Sequence, residues 1–168
     1  MNNLKLDQIR YGQRKMPLFQ KYYRKYQHGG LLKYLYRLLF VLYRNSKCID
    51  MSIDSEIGPG LYVGHPSGIT INPKAVIGRN CNIHKGITIG QENRGIRKGV
   101  PTIGNNVWIG INATIVGKIH VGNDVLIAAN SFVNVDVPDH SIVFGNPCII
   151  KRCEYATEAY INNAIPDS

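Results

Sequence analysis

Large aliphatic residues recur every six positions through the middle of the chain. In its second half the series is unbroken: Ile103, Ile109, Ile115, Val121, Ile127 and Val133. In its first half it runs Ile57, Val63, Ile69, slips by two residues, and continues Ile71, Ile77, Ile83, Ile89. The apolar stripe of an amphipathic helix recurs every three to four residues, so a period of six does not fit one. The pattern instead predicts short strands joined by tight turns and stacked as a parallel β-helix.

Small residues support this mainly β fold class. Glycine or alanine often follows the aliphatic position, as at Gly104, Gly110 and Ala128. Glycine tolerates positive φ at tight turns, and asparagine does so better than most residues. The alternative is a β-sandwich, but its strands alternate with a period of two and vary in length.

The positive charge is concentrated at the N-terminus. Residues 1–47 hold eleven Lys and Arg against one acid, Asp7, which gives +10, whereas the rest holds nine basic and ten acidic residues, which gives −1. We therefore divide the chain into a basic helical segment (1–47), a β-helix domain (48–150, with a loop at 90–101) and a C-terminal tail (151–168).

The basic segment contains one clear helix, predicted over residues 31–44. This stretch is too short and too charged to span a bilayer. It suits either a helix on an anionic membrane surface or a helix packed on the β-helix or a neighbouring subunit. No motif supports nucleic-acid binding. The four cysteines form no CxxC pair and no secretory signal precedes them, so we expect a cytoplasmic protein with free thiols, peripheral to the inner membrane if the helix binds lipid.

Two departures from the repeat mark the candidate site. One is the slip at Ile69–Ile71, directly after His65. The other is the excursion from Gly90 to Pro101, which is rich in glycine and polar residues and carries no six-residue units. Irregular loops on a rigid scaffold commonly carry function.

The motifs at these departures resemble a known family. Gly64-His65-Pro66-Ser67-Gly68-Ile69 is similar to an Asp-His-Ala-Thr-Gly-Ile motif, Ile87–Gly90 precedes the loop, and Gly145-Asn146-Pro147 is similar to a terminal Gly-Val-Pro. From Asp50 to Pro147 the chain thus resembles the serine acetyltransferase branch of the hexapeptide-repeat acyltransferases, which are left-handed parallel β-helices.

The resemblance implies that His65 is a general base and that Asp50 orients it. Such a base removes the proton of an acceptor hydroxyl as the oxygen attacks a thioester. A carboxylate on the second imidazole nitrogen would fix the tautomer and stabilise the imidazolium.

The loop departs from that family. Its Arg-His pair falls on Gly99 and Val100, which cannot anchor a serine carboxylate, and its first aspartate is replaced by Gly64. We therefore expect an acceptor hydroxyl on a sugar or surface-glycan precursor in polysaccharide biosynthesis. The alternatives are serine O-acetylation and a non-catalytic scaffold or membrane-binding module. The predicted acceptor contacts are His84, Gln91, Glu92, Asn93 and Arg94. A coil of three six-residue units, plus the two-residue slip, sets His84 on Gly64, beside His65.

The resemblance also implies acetyl-CoA as acyl donor and a homotrimer with active sites between subunits. By position, the donor would lie against Ile111, Ala128, Ala129 and Ser131, with its phosphates near Lys151 and Arg152. A zinc site like that of a γ-type carbonic anhydrase would need a close histidine pair, which the spacing of His65, His84 and His120 does not provide, so we expect no metal.

Overall fold

The computed structural model describes residues 1–166, in which three helices precede fourteen short strands. Asp167 and Ser168, at the end of the predicted tail, lie outside the described residues. The helices are α1 (Asn3–Tyr11), α2 (Leu18–His28) and α3 (Lys33–Asn45). The strands are β1 (Glu56–Ile57), β2 (Tyr62–Gly64), β3 (Thr70–Ile71), β4 (Val76–Ile77), β5 (Asn82–His84), β6 (Thr88–Gly90), β7 (Thr102–Ile103), β8 (Val107–Ile109), β9 (Thr114–Val116), β10 (His120–Val121), β11 (Val125–Ile127), β12 (Phe132–Val133), β13 (Ser141–Phe144) and β14 (Ile149–Arg152).

The strands stack into three sheets, one along each side of a β-helix. The first sheet has the order β1-β4-β7-β10, the second β14-β13-β11-β8-β5-β2, and the third β12-β9-β6-β3. Successive strands pair in parallel, and β14 pairs antiparallel with β13 at the end of the second sheet. The predicted parallel β-helix is therefore confirmed.

The six-residue series forms the core. None of these aliphatic side chains is more than 5% exposed: Ile57, Val63, Ile69, Ile71, Ile77, Ile83, Ile89, Ile103, Ile109, Ile115, Val121, Ile127 and Val133. The turns bring backbones together so closely that a Cβ on Gly78 would lie 2.5 Å from the carbonyl oxygen of Gly104. Glycine at this position lets neighbouring coils stack.

A buried carboxylate fastens the helices to the first coil. Asp7 of α1 forms an ion pair with Arg24 of α2 at 2.7 Å, and both side chains are fully buried. The same carboxylate accepts hydrogen bonds from Gln20 Nε2 and from the backbone N–H groups of Gly60 and Leu61. The single acid of the basic segment thus joins two helices to the β-helix.

Helix α3 follows the predicted helix closely and packs against α2. Its Phe40 is 1% exposed, whereas a row of large apolar side chains faces outward, from Leu31 in the turn before the helix to four residues within it: Tyr34, Leu35, Leu38 and Leu42. In the described residues, no helix is both long and apolar enough to cross a membrane. Membrane-surface binding stays a prediction.

The ends of the structural elements lie near the proposed domain boundaries. Helix α3 ends at Asn45, and Asp50 already pairs with Thr70 of the third sheet. At the other end, residue 150 lies inside β14, which pairs with β13.

Candidate active site

His65 occupies the long turn between β2 and β3. This turn is two residues longer than the turn above it, because Gly64 pairs with His84 whereas Thr70 pairs with Thr88. His65 has a left-handed backbone with φ of 54°, its side chain is exposed, and no residue from 1 to 166 hydrogen-bonds to its ring. The His65 ring is therefore accessible to a bound ligand and can accept a proton from it.

A polar cavity of about 380 Å³ opens beside His65 on the second sheet. The β-helix contributes Tyr62, Gly64, Asn82, His84 and Trp108, while α1, the turn after it and the C-terminal tail cover it with Arg10, Tyr11, Arg14, Tyr160, Asn162 and Asn163. The cavity therefore depends on segments that lie outside the hexapeptide repeat.

His84 stacks on Gly64 inside this cavity, as the count of residues per coil predicted. Its Nδ1 lies 2.8 Å from the carbonyl oxygen of Ile109, and its ring packs against Trp108 with centroids 4.7 Å apart. Burial lowers the pKa of His84, and this effect, with a smaller one from His65, outweighs the hydrogen bond to Ile109, which raises it. The carbonyl can only accept, so Nδ1 carries the proton and Nε2 presents a lone pair.

The tail is held in place by buried polar contacts. Arg10 donates from Nε to the Asn162 carbonyl and from its two terminal nitrogens to the Gly60 carbonyl and to Asn82 Oδ1. Farther along, the carboxylate of Asp124 accepts the N–H groups of Ala156 and Thr157. Burial raises the pKa of Asp124, but these bonds, with those from the Thr157 hydroxyl and His140, outweigh it and leave the pKa lowered.

Asp50 lies in a separate cleft of about 540 Å³ on the third sheet, and no hydrogen bond joins it to His65. Its side chain is 83% exposed and lies 4.0 Å from Arg44. Arg37, Thr70, Asn72 and Gln91 line the same cleft. Within one chain, the predicted base and its predicted orienting carboxylate thus lie in different clefts.

The loop from Gln91 to Val100 projects from the third sheet. Gln91 donates to Asn93 Oδ1, and Glu92 Oε1 accepts the backbone N–H groups of Asn93 and Arg94. Of the predicted loop contacts, Gln91 lines the cleft of Asp50, whereas Glu92, Asn93 and Arg94 line neither cleft. Ile96 at the loop tip is 97% exposed.

The residues predicted to meet the acyl donor fall into two groups. Ile111, Ala128 and Ala129 lie on one stacked edge that follows β8 and β11, whereas Ser131 is 1% exposed and its hydroxyl donates to the Ala128 carbonyl. Ser131 therefore faces inward. Lys151 and Arg152 are exposed on β14, and Arg152 pairs with Ser141, the first residue of β13, which lies beside Val125 rather than Ala128.

Sequence reasoning missed the residues that enclose the cavity beside His65. Arg10 and Arg14 belong to a helix and turn that the hexapeptide pattern does not place, and Tyr160 belongs to the tail. The available signal was the register, which sets Asn82 and His84 on Tyr62 and Gly64. Among residues 1–166, no group of three or more His, Cys, Asp or Glu is placed to hold a metal ion.

Comparisons with known proteins agree with this fold. The family described as bacterial transferase hexapeptide (six repeats) matches residues 101–134. The coils and this match define a hexapeptide-repeat transferase fold. A serine acetyltransferase of Helicobacter pylori is 35% identical over 119 residues, which cover 71% of this chain and 70% of that protein. The chain belongs to the serine acetyltransferase family.

Longer relatives and solved structures show the same likeness. The serine acetyltransferase of Synechococcus elongatus is 33% identical over 79% of this chain, but only 54% of its own length is covered. A Brucella abortus serine acetyltransferase in complex with coenzyme A has a TM-score of 0.66 at 28% identity, covering 82% of this chain and 54% of that one. A Neisseria gonorrhoeae serine acetyltransferase in complex with serine has a TM-score of 0.63 at 32% identity, covering 80% of this chain and 54% of that one. The chain thus spans about half the length of several relatives.

Proposed function

We propose that this chain is an acetyl-CoA-dependent O-acetyltransferase with His65 as its general base. The observation that carries the proposal is the exposed imidazole at the break in the repeat, which has no hydrogen-bond partner among residues 1–166 and opens to a polar cavity, in a chain of the serine acetyltransferase family.

In this reaction His65 transfers one proton in two steps, from the acceptor hydroxyl to its own ring and then to the leaving thiolate. His65 accepts the proton of the acceptor hydroxyl while the oxygen attacks the thioester carbonyl carbon. The tetrahedral intermediate collapses, the carbon–sulfur bond breaks, and the imidazolium returns the proton to the leaving thiolate. Asp50 of the same chain, or a carboxylate brought by a neighbouring subunit, would stabilise that imidazolium.

The comparisons favour L-serine as the acceptor. The relatives are named serine acetyltransferases, and one solved neighbour holds serine. This is the alternative of the sequence analysis rather than its main expectation, which was a sugar. We therefore propose serine as the first acceptor to test.

The donor is proposed to be acetyl-CoA, since a neighbour of this fold is known with coenzyme A. The edge formed by Ile111, Ala128 and Ala129 suits an extended pantetheine arm. A Cβ on Gly110 would lie 2.6 Å from the Ala129 nitrogen, so this edge is built from closely apposed backbone with small side chains.

A sugar hydroxyl is the second candidate acceptor. Gly99 and Val100 supply no charge in the loop. Besides Arg10 and Arg14, the cavity beside His65 contains three aromatic rings and three amides: Tyr62, Trp108, Tyr160, Asn82, Asn162 and Asn163. Amides and aromatic faces suit a neutral polyhydroxyl compound as well as an amino acid.

A CoA-release assay with a panel of acceptors tests the proposal. We expect turnover with acetyl-CoA and L-serine above the rate with acetyl-CoA alone. Turnover with N-acetylglucosamine but not with serine would establish the second candidate. The absence of both turnover and acetyl-CoA binding would contradict the proposal and favour a non-catalytic scaffold.

A further inference from the structure

The cavity beside His65 contains two arginines in different states. Arg10 is 3% exposed and uses its guanidinium for the Gly60 carbonyl, the Asn162 carbonyl and Asn82. Arg14 is exposed and makes a single side-chain hydrogen bond within the described residues, from its terminal nitrogen to the Tyr62 hydroxyl at 2.9 Å. Arg10 fastens the tail, whereas Arg14 keeps several N–H donors available.

Arg14 is positioned rather than loose. It lies in the turn that follows α1, where its backbone N–H donates to the Tyr11 carbonyl. Tyr62, whose hydroxyl accepts the hydrogen bond from Arg14, packs its ring on Tyr11 with centroids 4.7 Å apart. Arg14 and His65 therefore line the same cavity, although Arg14 belongs to the N-terminal segment and His65 to the β-helix.

The charge of the cavity suits an anion. None of the twelve described residues that line it is acidic. The nearby carboxylate of Asp7 is committed to Arg24 and to backbone donors. Guanidinium groups bind carboxylates through paired N–H donors, a geometry that lysine and neutral side chains do not reproduce.

From these contacts we infer that Arg14 binds the carboxylate of the acceptor and takes the place of the charge that Gly99 removes from the loop. This inference rests on the proposed function. It assigns the acceptor to hydroxyl compounds that carry a carboxylate near the hydroxyl, with the hydroxyl directed to His65. The N-terminal segment, rather than the loop, then binds the carboxylate of the acceptor.

The test compares Arg14→Ala with Lys15→Ala, a neighbouring exposed cation that does not line this cavity. Each protein is assayed with L-serine and with L-serinamide, which lacks the carboxylate. We expect Arg14→Ala to raise KM for L-serine about ten- to hundred-fold, the effect of losing a hydrogen bond to a charged group. KM for serinamide, and both values for Lys15→Ala, should change less than about twofold.

Binding is measured separately through Trp108, the single tryptophan, which lines the cavity. L-serine should change its fluorescence in the natural protein, and Arg14→Ala should weaken that titration. An unchanged serine titration or KM in Arg14→Ala, or an equal loss with serinamide, would overturn the inference while leaving acetyl transfer intact. A titration that depends on Arg14 without turnover of any acceptor would support the inference and contradict the proposed function.

Discussion

At the scale of single residues, the position of the His84 ring requires glycine at position 64. A Cβ on residue 64 would lie 2.5 Å from His84 Cδ2 and 2.8 Å from His84 Nε2, while Trp108 and the Ile109 carbonyl hold the ring from the other side. Any side chain at position 64 would have to displace the imidazole. The family aspartate that Gly64 replaces is therefore incompatible with His84 in this position.

The lowered pKa of His84 predicts a pH dependence of stability. The unfolded chain takes up a proton near pH 6.5, whereas the folded protein resists it until a lower pH. His84 should therefore lower the free energy of unfolding as the pH falls below about 6.5. Urea unfolding of the natural protein and of His84→Asn, each at pH 7.5 and pH 5.5, measures this change in the free energy of unfolding. The variant should lose less stability on acidification; equal losses would show that His84 does not cause the effect.

Residue-level prediction succeeded where the repeat supplies a register. The two-residue slip and the length of a coil placed His84 on Gly64, because stacked coils fix which residues are neighbours. The same count could not place Arg14, because the helices do not follow the repeat. The pairing of Asp50 with His65 came from the family resemblance, and within one chain the two lie in separate clefts.

At the scale of elements, the helices depend on Asp7. The carboxylate has five hydrogen-bonding contacts with α2 and the first coil, and the ion pair is fully buried. Removing one partner of such a pair leaves the other charge buried and uncompensated.

Asp7→Asn should therefore lower the free energy of unfolding by about 3–5 kcal/mol. Chemical denaturation measures the change, with Glu154→Gln on the exposed tail as the charge-matched control. A loss below about 0.5 kcal/mol, the range of ordinary surface substitutions, would show that the helices do not rely on this contact.

The exposed face of α3 predicts binding to an anionic surface. Leu35 and Leu38 are 46% and 56% exposed on a helix that also carries Lys33, Arg37 and Arg44. Vesicles containing phosphatidylserine should sediment the protein, and replacing both leucines by serine should weaken this. Equal sedimentation with neutral vesicles, or no effect of the substitutions, would favour a protein contact for this face.

The sequence predicted α3 but not α1 and α2 as separate helices. Both segments have low mean hydropathy, and the residues they bury are a mixture of aromatic and polar side chains: Asp7, Arg10, Tyr11, Phe19, Gln20, Tyr23 and Arg24. An apolar periodicity is the main sequence signal for a helix, and charged or amide side chains at some inward-facing positions interrupt that signal.

At the scale of the whole molecule, the β-helix was predictable because one local rule repeats along the chain. The assembly was predicted only by resemblance. If the site is completed between subunits, sedimentation equilibrium should give about 56 kDa, three times the chain mass of 18.8 kDa. A single species at the mass of one chain would require Asp50 and His65 to meet by rearrangement within that chain.

Acetyl transfer by His65 is the central claim, and the rate of CoA release with L-serine tests it most directly. His65→Ala should lower kcat by about a hundred- to ten-thousand-fold, the usual contribution of a general base. The substitution removes an exposed side chain, so folding and acetyl-CoA binding should persist. A variant that folds and retains kcat within a few-fold of the natural protein would contradict the assignment.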